Sequence, residues 1–150
     1  MGRIVGESEQ RSGPACRAPQ VTMHFSVAGN VHACCANGTY SYGDATMKPL
    51  VDIWEGARRR AMADDLSNGH YPVGCEGCAI EHGLGNRRST PASAYDDYLE
   101  GSPAWPRQLE FTLSNRCNLA CIQCNGDNSS TIRAQREGRP PMPMPYGDGF

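Results

Sequence analysis

The sequence lacks any run of 18 apolar residues, so it offers no transmembrane helix. Its opening stretch, MGRIVGESEQRSGP, has no apolar segment of the kind a secretory signal carries. Position 6 is glycine, where a myristoylation pattern wants serine or threonine. An excess of one charge is missing too. The 14 Lys and Arg face 16 Asp and Glu, for a net −2, so neither nucleic acid nor an anionic membrane is the default partner. Aromatics make up only 7% of the chain. What is abundant is glycine (17), proline (11) and cysteine (8). A loop-rich chain of 150 residues with so thin an apolar supply benefits from a metal or cross-link staple. With no export signal in view, the expected compartment is the cytoplasm, where clustered cysteines bind metal or do redox work more often than they form disulfides.

Residues 1–13 are polar and glycine-rich and are expected to be disordered. In VTMHFSV, Val21, Met23, Phe25 and Val27 alternate with other positions, the period of a half-buried strand. Ala28-Gly29-Asn30 is a turn signal. A second strand, VHACC, would then complete a β-hairpin that delivers Cys34 and Cys35 at its end. Leu50, Ile53, Trp54 and Ala57 fall at helical spacing, and Asn68-Gly69 closes that stretch. The Arg58-Arg59-Arg60 triplet that follows Ala57 reads as a solvated helix face. PVGCEGC presents Cys75 and Cys78 on a tight, glycine-bearing turn. Residues 87–106 read as a connector with a short helix predicted over 91–100. QLEFTLS is a short strand through Leu109, Phe111 and Leu113, and it runs into a loop reading CNLACIQC. A short helix capped by Ser129 or Ser130 is expected after it. The proline-rich end, RPPMPMPYGDGF, shows neither strand nor helix pattern.

The eight cysteines fall into two sets and one remainder. Cys16, Cys34, Cys75 and Cys78 are four thiols in three pieces. Four thiolates suffice for a closed zinc site or for a cubane iron–sulfur cluster, and spacing alone does not choose. Cys117, Cys121 and Cys124 are three thiols on one loop, spaced C-x3-C-x2-C. Three thiolates can hold three irons of a cubane and leave the fourth open, and an open coordination position is what separates a reactive metal site from a structural one. Cys35 is left over, a small buried hydrophobe or a substitute ligand. His24, His32, His70 and His82 are isolated in the sequence and read as surface or packing residues. His82, four residues past the knuckle, is the best of them as a ligand candidate.

Two resemblances follow from these residues. Cys16, Gly29 and Cys34, then Tyr42-Gly43-Asp44, Leu50 to Trp54 and Gly74 to Cys78, resemble the opening of SPASM and twitch domains, the auxiliary iron–sulfur modules of radical S-adenosylmethionine (SAM) enzymes. No cysteine follows in Glu81 to Asn86, so the likeness is to the shorter twitch form with one auxiliary [4Fe–4S] cluster on Cys16, Cys34, Cys75 and Cys78. CNLACIQC resembles the cluster loop of the radical SAM superfamily. That resemblance implies Cys117, Cys121 and Cys124 as ligands of a SAM-binding [4Fe–4S] cluster at the start of a (β/α)6 partial barrel. Gln123 departs from the aromatic residue usual before the last cysteine, which bears on the adenine contact and not on the cluster. The implied activity is reductive cleavage of SAM to a 5′-deoxyadenosyl radical that modifies a peptide, protein or small molecule, with a flavodoxin or ferredoxin as electron donor.

The expected fold is α+β and loop-rich. An auxiliary cluster module spans 14–86, the connector 87–106, and the first strand and cluster loop of a truncated radical SAM core 107–150. The later SAM-binding elements of the family have no counterpart in the sequence, so the chain is expected to be inefficient at cleaving SAM by itself. The competing reading is a non-catalytic zinc-binding interaction module with a four-cysteine site.

Overall fold

The computed structural model describes residues 14–98 and 103–146, so the expectation of disorder over 1–13 falls outside the described residues. The chain enters through a single helical turn, α1 (Ala18–Val21), and passes directly into β1 (Thr22–Phe25). Gly29, at φ +88°, makes the tight turn into β2 (Asn30–His32). A short β3 (Gly43–Asp44) returns along β2. Three helices follow: α2 (Leu50–Trp54), α3 (Ala57–Ser67) and α4 (Glu76–Gly83). Two 3-10 turns, Arg87–Ser89 and Pro91–Tyr95, precede β4 (Gln108–Phe111) and α5 (Ser130–Gln135). The result is a small α+β fold on a four-stranded mixed sheet of order β3-β2-β1-β4.

The hairpin forms for the reason its alternation implies. Val21, Met23 and Phe25 are all at most 1% exposed and face Val31, Ile53, Trp54, Met62 and Leu66 in one core. Fully burying an aromatic or large aliphatic side chain contributes about 1.5–3 kcal/mol, so this short strand is held by its core face rather than by its length. Of the four alternating positions, Val21 ends α1 and the half-buried Val27 lies beyond the strand, so the strand expected over 21–27 is confined to Thr22–Phe25.

Three features depart from the sequence pattern. The single helical face of Leu50 to Ala57 is broken at Gly56, where a Cβ would stand 2.9 Å from the Ile53 carbonyl oxygen. The chain restarts as α3 with Ala57 exposed, and the buried face of α3 becomes Arg59, Met62 and Leu66. That rotation puts Arg59 inside. Its guanidinium lies 4.1 Å from the Trp54 ring centroid and donates to the carbonyls of Trp54 and of Pro19, the latter at 2.8 Å. Only Arg58 and Arg60 of the triplet are solvated.

The second departure is β4, which pairs in parallel with β1, placing Leu109 opposite Met23 and Phe111 opposite Phe25. The strand expected to open a separate core shares the sheet of the first module, and its Phe111 ring stacks on Phe25 at 4.5 Å. The third is the stretch read as a connector, in which Thr90, Ala92 and Tyr95 are buried while Ala104 and Trp105 stay exposed. Arg87 forms a two-pronged ion pair with Asp96 and also donates to the Ala15 carbonyl at 2.6 Å, while Tyr95 is buried. The helix predicted over 91–100 is a 3-10 turn of Pro91–Tyr95, and 99–102 are not among the described residues. No helix among the described residues is long and apolar enough to cross a membrane.

Candidate metal centre

The first cysteine set is assembled by three segments. Cys16 sits just before α1, Cys34 two residues past β2, and Cys75 and Cys78 at the start of α4. All four line one cavity, together with Asn37, Tyr71, Met62 and Leu66, whereas Cys35 is exposed and does not line it. Burial, first of all, pushes the Cys16 thiol up to about 12, with the charges of Cys34 and Cys75 adding to it. Burial likewise raises Cys34 and Cys75. Mutually repelling thiolates in an apolar pocket need a cation to hold them deprotonated, which is what metal ligation supplies.

The pocket also carries hydrogen bonds aimed at sulfur. The backbone N–H of Ala18 points at Cys16 Sγ, 3.4 Å away, and those of Ala36 and Asn37 at Cys34. Asn37, only 1% exposed, ties the site together. Its Nδ2 donates to the Val73 carbonyl at 3.1 Å and to Cys75 Sγ at 3.3 Å, and its Oδ1 accepts from the Thr39 and Tyr40 amides. The clamp requires Gly74: its φ is +86° and a Cβ there would lie 2.2 Å from Asn37 Oδ1. In the sequence Asn37-Gly38 carries only a loop signal, which does not reveal this role. The available signal was the distance of three residues from Cys34, which places the amide within reach of the cysteine-bearing loop.

A buried hydroxyl also feels the charges of these thiols. Tyr42 is 5% exposed, its hydroxyl has no hydrogen-bond partner, and its ionisation is raised by burial and then by the charges of Cys34, Cys16 and Cys75. A buried donor without a partner is costly, and cluster sulfur is an acceptor of the right character.

No group of three or more His, Cys, Asp or Glu among the described residues is arranged to hold a single metal ion. Tetrahedral zinc with Zn–S bonds of ~2.3 Å would bring the sulfurs to about 3.8 Å of one another. Four thiols lining one cavity are the donor set that a cubane cluster takes, each iron with its own cysteine. The cavity measures about 30 Å³, so a cubane fits only with the three segments drawn apart around it.

His82 is not among the thiols. Its Nδ1 lies 2.7 Å from the Tyr71 hydroxyl and its Nε2 3.0 Å from the Thr90 hydroxyl, so both ring nitrogens are committed to packing contacts. His24 and His32 are cross-strand neighbours, and His24 Nδ1 stands 3.3 Å from Glu110. His70 is exposed.

The second set lies on a single loop, with Cys121 exposed and Cys117 and Cys124 half-buried. Its backbone is held from α5. The Ser130 and Thr131 hydroxyls donate to the Cys117 carbonyl at 3.1 and 3.0 Å, and the Ser129 hydroxyl donates to that of Leu119 at 2.7 Å. Arg136 donates to the carbonyls of Ala120, Cys121 and Cys124. None of these three cysteines lines the cavity of the first set. The structure therefore gathers one set in space and leaves the other as a clamped loop.

Comparison with known families bears on the first set. Residues 16–79 match the family model of SPASM, an iron–sulfur cluster-binding domain. The matched region is thus similar to an iron–sulfur module of the SPASM type. It contains all four converging thiols and leaves Cys117, Cys121 and Cys124 outside. Searches of curated proteins and of solved structures found no match.

Proposed function

We propose that the chain belongs to the radical SAM enzymes and holds two [4Fe–4S] clusters. Cys16, Cys34, Cys75 and Cys78 would carry an auxiliary cluster, and Cys117, Cys121 and Cys124 a cluster that binds SAM. The observation that supports this most is the convergence of four thiols from three segments on one cavity inside the SPASM region. Iron–sulfur binding by SPASM domains is typical of radical SAM enzymes, and the C-x3-C-x2-C loop is the partner such a module implies.

When bound at the loop, the cluster supplies an open iron for SAM and the electron that cleaves it. The chain's own residues prepare that loop. Ser130 and Thr131 fix the backbone of Cys117, and Arg136 ties together the carbonyls of Ala120, Cys121 and Cys124. At the auxiliary site, Asn37 and the Ala18 amide donate toward sulfur, an arrangement that tunes the potential of a cluster. The substrate is a peptide, a protein or a small molecule, and the electron donor a flavodoxin or ferredoxin.

The test is spectroscopic. The chain is reconstituted with iron and sulfide under anaerobic conditions, reduced, and titrated with SAM. We expect SAM to change the paramagnetic resonance of one reduced cluster, and the change to vanish in a Cys117→Ala/Cys121→Ala/Cys124→Ala variant that retains the other signal. Stoichiometric zinc without iron would refute the proposal and favour a four-cysteine zinc interaction module.

A further inference from the structure

A second cavity, of about 300 Å³, lies between the segment that follows β4, α5 and the proline-rich segment. That volume is in the range of small-molecule sites. Arg116, Arg133 and Arg139 line it, and no carboxylate does. Two of these cations are answered from outside the cavity. Asp127 pairs with Arg133 at 3.1 Å and with Arg139 at 2.9 Å, and Glu137 pairs with Arg139 at 2.9 Å. Arg116 is exposed and its side chain makes no hydrogen bond or ion pair with the described residues. Three guanidinium groups against two carboxylates leave one positive charge uncompensated, and it is the one nearest the loop. Val27, Met142 and Met144 supply apolar lining. The proline-rich wall is itself pinned, by Arg133 Nε on the Pro140 carbonyl and by the Tyr146 hydroxyl on the Ser26 carbonyl at 2.6 Å.

The site is separate from the cysteines but mechanically joined to them. Arg116 directly precedes Cys117, and the lining residue Ser130 both accepts from the Cys117 amide and donates to its carbonyl. None of the seven proposed ligands lines the cavity. The lack of a lining carboxylate also disfavours a zwitterion, whose ammonium would meet only arginines, so the methionyl end of SAM is a poor match. From this arrangement we propose that the cavity is a substrate site for a carboxylate joined to a short aliphatic segment, with Arg116 as its anchor. The carboxylate accepts from the planar guanidinium fork, a geometry arginine provides and lysine does not. The aliphatic part lies against the methionine and valine wall, whose soft side chains adapt to its shape. The word substrate rests on the function proposed above, whereas binding does not.

The carboxylate can belong to a free acid or to an acidic residue of a peptide, and the experiment separates the two. The iron-loaded full chain, carrying isotope-labelled methionine methyls, is titrated by NMR with isocaproate, with a blocked Ala-Glu-Ala peptide and with the neutral alcohol matching isocaproate. Met142 and Met144 report the cavity, and the exposed Met47 is the remote control. We expect saturable shifts at Met142 and Met144 with at least one carboxylate, none at Met47, and much weaker binding of the alcohol. Tighter binding of isocaproate points to a small-molecule acid, and tighter binding of the peptide to an acidic residue. Arg116→Gln should weaken binding about tenfold, with iron content unchanged, while Arg88→Gln makes the same charge change elsewhere and should leave binding intact. The proposal is overturned if neither carboxylate gives saturable shifts, if the alcohol binds as well, if Arg116→Gln binds like the parent, or if Arg116→Gln loses iron. Absence of iron from the parent chain would defeat the proposed function, and the methyl shifts would still decide this site.

Discussion

The two cysteine sets solve the same problem in opposite ways. Cys117, Cys121 and Cys124 occupy eight consecutive residues on a loop whose backbone is tied to one short helix. Cys16, Cys34, Cys75 and Cys78 span 63 positions and meet only because α1, β1, β2 and α3 share a core against which Tyr71 and Cys75 pack. A local set needs little tertiary structure to exist. A dispersed set needs the fold, and by linkage the fold then needs the ligand. Stability and ligation should be coupled strongly at the first site and weakly at the second.

The largest effect expected from this contrast is on metal removal. Chelation should abolish slow amide exchange across the SPASM region, above all at Cys34 to Tyr42 and Tyr71 to Cys78, and raise exchange only locally around 117–131. Exchange measured by mass spectrometry checks this, and equal loss in both regions would break the comparison. The next largest belongs to Asn37→Ala. It removes the donor to Val73 and Cys75 and the acceptor of two amides, in a position only 1% exposed. Leaving those groups unpaired should cost about 3 kcal/mol. A denaturation midpoint measures that cost, and the absorbance of the proposed auxiliary cluster should shift with it while the proposed loop cluster keeps its expected SAM response. The smallest is Ser129→Ala. Ser129 caps α5 by accepting from the Ile132 amide and also holds the Leu119 carbonyl. Losing a cap of this kind costs about 1 kcal/mol. Its expected signature is faster exchange in the cysteine loop with no change at the first site.

The sequence showed most where its signals are local. The alternation through Met23 and Phe25 announced β1, the glycine at 29 its turn, and the Ser129-Ser130 pair the cap of α5, which is Ser129. The seven candidate ligands were found from spacing and from family likeness, and four of them meet around one cavity. What stayed hidden depends on partners far along the chain. Arg59 reads as solvated because its burial follows from the break at Gly56 and the position of Pro19, 40 residues earlier. The pairing of β4 with β1 joins residues more than 80 positions apart, and no periodicity in QLEF announces its neighbour. Asn37 shows only turn propensity in sequence, whereas its role is set by Val73 and Cys75 across the pocket.

The central claim is that the two cysteine sets are independent cluster sites of unlike dependence on the fold. Iron and acid-labile sulfide per chain test it most directly, measured after reconstitution in the parent, in Cys117→Ala/Cys121→Ala/Cys124→Ala, and in Cys75→Ala/Cys78→Ala. Two cubanes predict about eight irons in the parent and about four in each variant, with reduced thermal stability in the Cys75→Ala/Cys78→Ala protein alone. Full iron retention in either variant, or zinc in place of iron in the parent, would contradict the account.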